Sequence, residues 1–199
     1  MNNSTDFMKR LREETSSIHQ QLEETPLSMA VMAPVVSTEA YAHYLQAMLA
    51  IHKGIEEKVF PVTAAVISDI EQRRKTELIR KDLEELGSGF TDYTEPFADE
   101  NYHDELAFNL GILYVSEGST LGGKVILKNV LAASESGFAG ASRFLNAYGD
   151  QTGSRWKSFL SALDNYQSGV GEVMRDSIIE GAVYGFRRTA DLFNNAVAK

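Results

Sequence analysis

Apolar residues recur at steps of three and four along most of the chain, and no stretch shows a sustained alternation of period two. In the first segment this spacing places one apolar face on a helix, formed by Phe7, Leu11, Thr15, Ile18 and Leu22. All four prolines fall between the helical segments, where they do not interrupt a helix interior. The chain is therefore predicted to be all-α.

Residues that start or stop helices separate the predicted segments. Asp6 is the predicted N-cap of the first helix, and Ser37 or Thr38 that of the second. Gly87 is the predicted C′ glycine of the third helix, and residues 87–103 are predicted to form a loop that joins two halves of one fold. The predicted helices span approximately residues 7–25, 38–60, 69–86, 104–131, 142–148, 152–165 and 169–197.

The composition excludes several classes of protein and of site. The 199 residues, 43% of them hydrophobic, suffice for one core, so a single domain over 1–199 is predicted, with 1–5 as a flexible tail. A net charge of −9 leaves no broad basic surface for nucleic acid. The lack of cysteine excludes disulfides, iron–sulfur clusters and thiolate ligands. Neither a signal peptide nor a membrane span is recognisable, so a cytoplasmic protein is expected.

Three glycines interrupt a pattern that otherwise suits a buried helix. Gly118, Gly122 and Gly123 each cost about 1 kcal/mol relative to alanine, which is a large sum against a typical domain stability of about 5–15 kcal/mol. Gly118 and Gly122 are four residues apart and share one helix face. That face would let a flat ligand or another backbone come close; close helix packing or a helix break would explain the same spacing.

A histidine on the first helix has the spacing of a metal ligand with a supporting carboxylate. Glu23 lies one turn after His19, within reach of one imidazole nitrogen, which leaves the other nitrogen free. A simple pair at the edge of the core is the competing interpretation. His52 and Glu56 repeat the same spacing, so the spacing alone does not distinguish the two.

Together these two features resemble the haem oxygenase family, over nearly the whole chain. The string Leu11-Arg-x-x-Thr-x-x-x-His19-x-x-x-Glu23 resembles the proximal helix of that family. The string Tyr114-Val-x-Glu-Gly-Ser-Thr-Leu-Gly-Gly123 resembles the distal helix of its bacterial branch, which includes haem oxygenases associated with bacteriophytochromes. Asp82-Leu-x-x-Leu-Gly87 and Arg155-Trp-Lys-x-Phe are similar to the same branch. The resemblance implies a single-domain, multi-helical bundle with haem between the proximal and distal helices.

The resemblance also implies roles for residues on the two sides of the haem. His19 would bind the iron, and Glu23 would hold its second ring nitrogen. The distal backbone from Gly118 through Gly122 and Gly123 would approach the iron and direct dioxygen towards the edge of the macrocycle. Many members carry an aspartate after the first distal glycine, where it organises water. Ser119 occupies that position here, and a hydroxyl cannot hold the negative charge.

Further residues are implied in haem binding by their places in the motifs. Arg12 and Lys157 are the candidates to pair with the haem propionates, although plain solvation explains both equally well. Tyr114 and Phe186 are implied walls of the haem pocket. Phe193, seven residues after Phe186, is implied there too, but core packing explains it better.

The implied reaction is the cleavage of haem to biliverdin, carbon monoxide and ferrous iron with dioxygen and external electrons. No nucleotide fingerprint occurs, so a reductase, ferredoxin or flavodoxin-type protein would supply them. A local basic patch is the expected docking site, made of Lys124, Lys128, Arg155 and Lys157. A bacteriophytochrome is an implied acceptor of biliverdin.

Two other functions compete with this one. A haem-binding carrier or sensor of the same fold would keep His19 without turnover, and Ser119 favours it slightly. A di-iron bundle would need paired Glu-x-x-His motifs, of which only Glu100-x-x-His103 occurs.

Overall fold

The computed structural model of the protein describes residues 3–89, 93, 96–97, 105–133 and 138–196. Within these ranges there are α-helices and short 3₁₀ and π-helical turns but no strands, so the all-α prediction is confirmed. The α-helices are α1 (Asn3–Glu23), α2 (Pro26–Met32), α3 (Thr38–Gly54), α4 (Phe60–Thr63), α5 (Thr76–Glu85), α6 (Leu106–Ala133), α7 (Thr152–Ser168) and α8 (Glu172–Ala196). Among the described residues, no helix combines the length and the apolar character needed to cross a bilayer.

Several helix boundaries differ from the predicted ones because proline begins helices here as well as separating them. Pro26 is the first residue of α2, and Thr25 is its N-cap. Pro61 lies in the first turn of α4, which continues α3 through a π-helical turn at Ile55–Val59. Proline is tolerated in a first turn because its missing N–H has no helical partner there. At the N-terminus, α1 begins at Asn3, inside the predicted tail, so Asp6 lies within the first turn and is not the cap.

Other predicted boundaries agree with the structure. The Ser37 side chain accepts a hydrogen bond from the Ala40 amide at 3.0 Å and so caps α3. Gly87 has a φ of 64°, and the Ser88 amide donates to the Leu83 carbonyl at 3.0 Å, which ends α5 as a C′ glycine does. The third predicted helix is divided, with a 3₁₀ turn at Ile70–Arg73 before α5. The region 142–148 forms turns, and most of the predicted loop 87–103 lies outside the described residues.

The centre of the fold is the contact between α6 and α8, which approach each other backbone to backbone. A Cβ atom on Gly111 would lie well inside the van der Waals distance of the Ile178 carbonyl oxygen. A Cβ atom on Gly181 would collide in the same way with the Phe108 carbonyl oxygen. These two glycines therefore set the separation of the two longest helices.

Replacing Gly181 by alanine is expected to lower the free energy of unfolding by about 1–3 kcal/mol, because α6 and α8 must separate to admit the methyl group. Urea titration followed by circular dichroism measures the change. The control is Gly122→Ala in α6, where no described heavy atom lies within 4 Å of the added carbon. That variant should be as stable as the wild type or slightly more so. Equal losses in both variants would contradict the close-packing explanation.

Exposed ion pairs attach α1 to the start of α8. The Arg10 guanidinium donates to Glu172 at 2.6 Å and to Asp176 at 2.7 Å, and also to Glu14 on its own helix at 2.6 Å. All four side chains are between 39% and 61% exposed. Further along, α1 packs against α8 and also contacts α7, and α7 and α8 both contact α6. Helices α1 and α6 therefore face the same two neighbours.

Candidate functional site

The two sequence motifs lie on α1 and α6, and both helices contact α7 and α8. Arg12 on α1 and Tyr114 on α6 are close enough to interact electrostatically: burial raises the pKa of Tyr114, and the positive charge of Arg12 acts against that rise. The predicted proximal and distal helices are thus brought together in space, although about a hundred residues separate them in sequence.

His19 presents an accessible imidazole to this region. Its side chain is 55% exposed, and its ring centroid lies 5.1 Å from that of Phe186 on α8. The nearest Glu23 oxygen is 3.5 Å from Nε2. Binding of a metal through Nε2 therefore requires the ring to turn, which would direct Nδ1 towards the carboxylate. The residue types and positions suit a ligand and its supporting carboxylate.

The two predicted aromatic walls differ in their surroundings. Phe186 is buried on α8 and contacts the His19 ring. Phe193 is also buried, but its ring meets Tyr44 of α3 edge-on at a centroid distance of 5.8 Å. Phe193 therefore packs in the core against α3.

The three distal glycines have different environments. A Cβ on Gly122 would have no described heavy atom within 4 Å, so this position faces open space. A Cβ on Gly118 would instead lie 3.5 Å from Cη2 of Trp156, and one on Gly123 would lie 3.7 Å from the Leu145 carbonyl oxygen. Of the face that Gly118 and Gly122 share, the open part is therefore at Gly122.

Two exposed apolar side chains continue this open face, and the sequence analysis did not single them out. Leu121 is 42% exposed and Val125 is 57% exposed. They lie three and seven residues after Gly118, so they share its side of α6. Their spacing relative to the glycines is the sequence signal that identifies them.

The Ser119 hydroxyl points back towards the preceding turn of α6. The hydroxyl donates to the Ser116 carbonyl at 2.7 Å, so its proton is engaged and its oxygen lone pairs can still accept a hydrogen bond. The candidate cations Arg12 and Lys157 are exposed on α1 and α7. In the predicted basic patch, Lys124 donates to Asn146, and Arg155 pairs with Asp69 at 2.7 Å.

Behind the distal glycines lies a buried ionic cluster that the sequence analysis did not predict. Glu117 is 1% exposed and accepts hydrogen bonds from Arg73, from Lys75 at 2.9 Å and from the Tyr148 hydroxyl at 3.0 Å. Burial tends to lower the pKa values of Arg73 and Lys75. The Asp69 and Glu117 carboxylates outweigh this effect at Arg73, and Glu117 and Tyr148 outweigh it at Lys75, so both pKa values are raised. Arg73 and Lys75 therefore both remain positively charged at neutral pH.

A small cavity connects this cluster with α6. Its volume is about 20 Å³, which is enough for a water molecule. Polar atoms are available along its lining from Lys75, Tyr148, Ser119, Thr120 and Thr152.

The second His-Glu pair of the sequence behaves differently from the first. The Glu56 carboxylate accepts hydrogen bonds from the amides of Lys75 and Thr76, which begin α5. His52 is 1% exposed and meets the Phe144 ring at 5.2 Å. Identical spacing thus gives an accessible imidazole at His19 and a core imidazole at His52.

The buried His52 predicts a pH dependence of stability. Burial and the nearby charge of Lys75 hold the pKa of His52 well below its ordinary value, so the folded protein keeps the ring neutral. Below about pH 6.5 the unfolded chain binds one more proton than the folded one, so stability falls as pH falls, by at most about 1.4 kcal/mol per pH unit. Urea titrations at several pH values between 7 and 5 give the free energy of unfolding at each pH. This free energy should fall less steeply with falling pH for His52→Gln than for the wild type. Equal slopes would contradict this assignment.

No three His, Asp or Glu side chains of the described residues converge to hold a metal ion. The di-iron interpretation therefore has no site in these parts of the chain; Glu100 and His103 lie outside them.

Comparison with known proteins identifies the family. The model of the haem oxygenase family matches residues 5–195. The haem oxygenase PigA of Pseudomonas aeruginosa is 27% identical over 194 residues, which cover 96% of this chain and 92% of the relative. A haem oxygenase of Xanthomonas campestris pv. campestris is 28% identical over 130 residues, which cover 65% of this chain and 74% of the relative.

Solved structures share the same fold. The haem oxygenase of Neisseria meningitidis superposes with a TM-score of 0.78 at 23% identity, over 96% of this chain and 92% of that one. The enzyme from the cyanobacterium Synechocystis, solved in complex with haem, superposes with a TM-score of 0.73 at 15% identity, over 96% and 94% of the two chains. The predicted resemblance is confirmed, and this chain belongs to the haem oxygenase family.

Proposed function

We propose that this chain is an active haem oxygenase that cleaves haem to biliverdin, carbon monoxide and ferrous iron, with His19 as the iron ligand. The carrying observation is that the accessible His19 imidazole and the open position Gly122 lie on α1 and α6, the two helices on which Arg12 and Tyr114 interact. Haem is both substrate and prosthetic group, and it supplies the iron and the carbon atoms that are oxidised. The membership of the family supports the reaction.

The side chains around the site fit a flat, largely apolar ligand with two carboxylates. Leu121 and Val125 expose apolar surface on the distal side, and Phe186 offers a ring beside His19. Arg12 and Lys157 provide exposed cations on α1 and α7, and we assign them to the two propionates. The residues present therefore suit haem.

On the proximal side, we assign His19 to the iron and Glu23 to the second ring nitrogen, directly or through a water. The carboxylate fixes the neutral tautomer that binds a metal and orients the ring. On the distal side, the absence of a side chain at Gly122 lets the main chain of α6 limit the space above the macrocycle. With haem held there, this main chain would leave room for dioxygen only beside the macrocycle edge and so would direct oxidation to the ring.

We propose that the cavity behind α6 holds an ordered water. The Tyr148 hydroxyl lies 3.0 Å from both Lys75 Nζ and Glu117 Oε1, and the same cavity reaches Ser119. A water there can donate a hydrogen bond to the Ser119 oxygen, because the Ser119 hydroxyl itself donates to the Ser116 carbonyl. This arrangement would organise water without an acid at position 119.

Electrons are proposed to come from a reductase, ferredoxin or flavodoxin-type protein that docks on the basic patch of Lys124, Lys128, Arg155 and Lys157. Lys128 and Lys157 are exposed, whereas Arg155 also pairs with Asp69. An acidic partner would complement this patch despite the overall negative charge. A cytoplasmic location would give access to such donors, and a bacteriophytochrome is a candidate acceptor of the product.

The test of the proposed function is to mix the protein with haemin and ascorbate in air. Conversion of the Soret band to a biliverdin spectrum, with the product identified by chromatography, is the expected result. A Soret band that persists unchanged would favour the haem carrier, the alternative to which the hydroxyl at Ser119 gives some support.

A variant at Gly122 tests the open face. Gly122→Val adds three carbons to a position where no described heavy atom lies within 4 Å, so the protein should fold and bind haem. These carbons fill the space above the macrocycle, so we expect biliverdin formation to fall about tenfold or more, since a shift of about 1 Å in reacting atoms can cost about a hundredfold. Gly122→Ala should give a biliverdin yield between those of the wild type and Gly122→Val. A normal yield from Gly122→Val would refute the role of the open face.

A further inference from the structure

The indole of Trp156 covers the first distal glycine. A Cβ on Gly118 would lie 3.5 Å from Cη2 and 3.8 Å from Cζ3 of Trp156, whereas one turn later Gly122 is open. Trp156 is the only tryptophan of the chain and is half-buried. A side chain larger than that of alanine at position 118 would therefore meet this ring from α7.

Two other rings hold the indole in place. It stacks on Phe159 of α7 with an interplanar angle of 18° and a centroid distance of 5.7 Å. It also lies 5.4 Å from the Tyr114 ring, one turn before Gly118 on α6. The indole is therefore fixed between α6 and α7 by contacts on both helices.

One buried guanidinium fixes the spacing of the two helices at this point. Arg73, which is fully buried, donates to Glu117, the residue before Gly118. Both of its terminal nitrogens also lie 3.4 Å from the carbonyl oxygen of Arg155, the residue before Trp156. Arg73 thus binds both the residue before Gly118 and the residue before Trp156. This shared side chain holds the indole at a fixed position relative to the glycine, so a bound ligand should not displace it easily.

From this arrangement we infer that Trp156 is the fixed wall of the haem site on its α7 side and sets the in-plane position of the haem. The inference rests on the proposed function. A flat ligand that lies against Gly122 meets the indole edge when it moves along α6 towards Gly118. The position of the macrocycle in its plane decides which of its edge carbons lies next to dioxygen. Trp156 is therefore a positioning residue that selects the biliverdin isomer.

The test compares the wild type, Trp156→Ala and Trp156→Phe after reconstitution with haemin and cyanide. Proton NMR of the haem methyl groups counts the positions that the bound haem occupies, without any turnover. For Trp156→Ala, the ratio of the minor to the major set of resonances should rise about tenfold, which corresponds to about 1.4 kcal/mol of lost preference. Trp156→Phe should show a smaller rise, because the shorter ring leaves a gap. The isomers of biliverdin formed with ascorbate should change in the same order.

Leu160→Ala is the matched control. Leu160 is a partly buried residue of α7 one turn after Trp156, so its loss weakens the same helix. It should leave the ratio of resonances unchanged. If both Trp156 variants show the wild-type resonances and product isomer, the inference is wrong; if Trp156→Ala does not fold, Trp156→Phe decides alone. Failure of the wild type to form biliverdin would refute the proposed function instead, since the NMR comparison needs only binding.

Discussion

Replacing His19 by alanine should remove the iron ligand and lower biliverdin formation about a hundredfold or more, since loss of even an outer partner of a metal ligand costs about 10–100-fold. The His19 side chain is 55% exposed and its nearest ion-pair partner is the exposed Glu23, so its removal leaves the core intact. We therefore expect a folded protein whose ferric haem has an altered Soret band. Absorption and resonance Raman spectra of the haemin complex measure the change directly.

Added imidazole makes this experiment specific. A free imidazole molecule can occupy the space left by the side chain and should restore part of the wild-type spectrum. The control is His43→Ala, which removes a half-buried imidazole from α3 and should leave the iron spectrum unchanged. A wild-type spectrum in His19→Ala, with full turnover, would refute the assignment of the ligand and would direct attention to another residue.

Replacing Glu117 by alanine should lower the free energy of unfolding by about 3–5 kcal/mol, because Arg73 and Lys75 would then be buried without their shared carboxylate. Urea titration measures the loss. The burial that lowers the pKa of Lys75 would no longer be opposed by Glu117. The folded variant would then release a proton that the unfolded chain keeps, so its stability should rise with pH up to about pH 10.4, the ordinary pKa of lysine.

Two variants control for charge and for position. Glu117→Gln keeps the shape and part of the hydrogen bonding, so its loss should be smaller than that of alanine. Glu71→Gln removes a carboxylate that pairs with Arg74 at the exposed surface, and it should leave the stability unchanged within error. If Glu117→Ala unfolds at the same urea concentration as the wild type, the buried cluster does not stabilise the distal helix.

The fold class and the family could be predicted from the sequence because the signals are local. Helical spacing, the cap at Ser37 and the C′ glycine at Gly87 depend on residues a few positions apart, and the structure agrees with each. The short helix α2 was missed because its first turn begins with Pro26, which the prediction used as a stop. A proline can follow the end of one helix or begin the next, and only a capping residue before it distinguishes the two cases.

The details of the site depend on contacts between distant segments, which no local pattern contains. Gly118 and Gly122 are equivalent by spacing, yet Trp156 covers the first and leaves the second open. The tightest glycine contacts of the described residues are at Gly111 and Gly181, outside the distal glycine string, because α6 and α8 touch there. In the same way, the cluster around Glu117 draws its cations from positions about forty residues earlier.

The contact of α8 with α6 and its ion-pair link to α1 should respond differently to salt. Its contact with α6 is backbone against backbone and leaves no slack, whereas its link to α1 through Arg10 consists of water-exposed ion pairs that salt weakens. Apart from these ion pairs, α1 packs against α8 and has Phe7 and Leu11 buried in the core. Raising the salt concentration should therefore loosen only the Arg10 link and leave the apolar contact of α1 and the backbone contact of α6 with α8 intact.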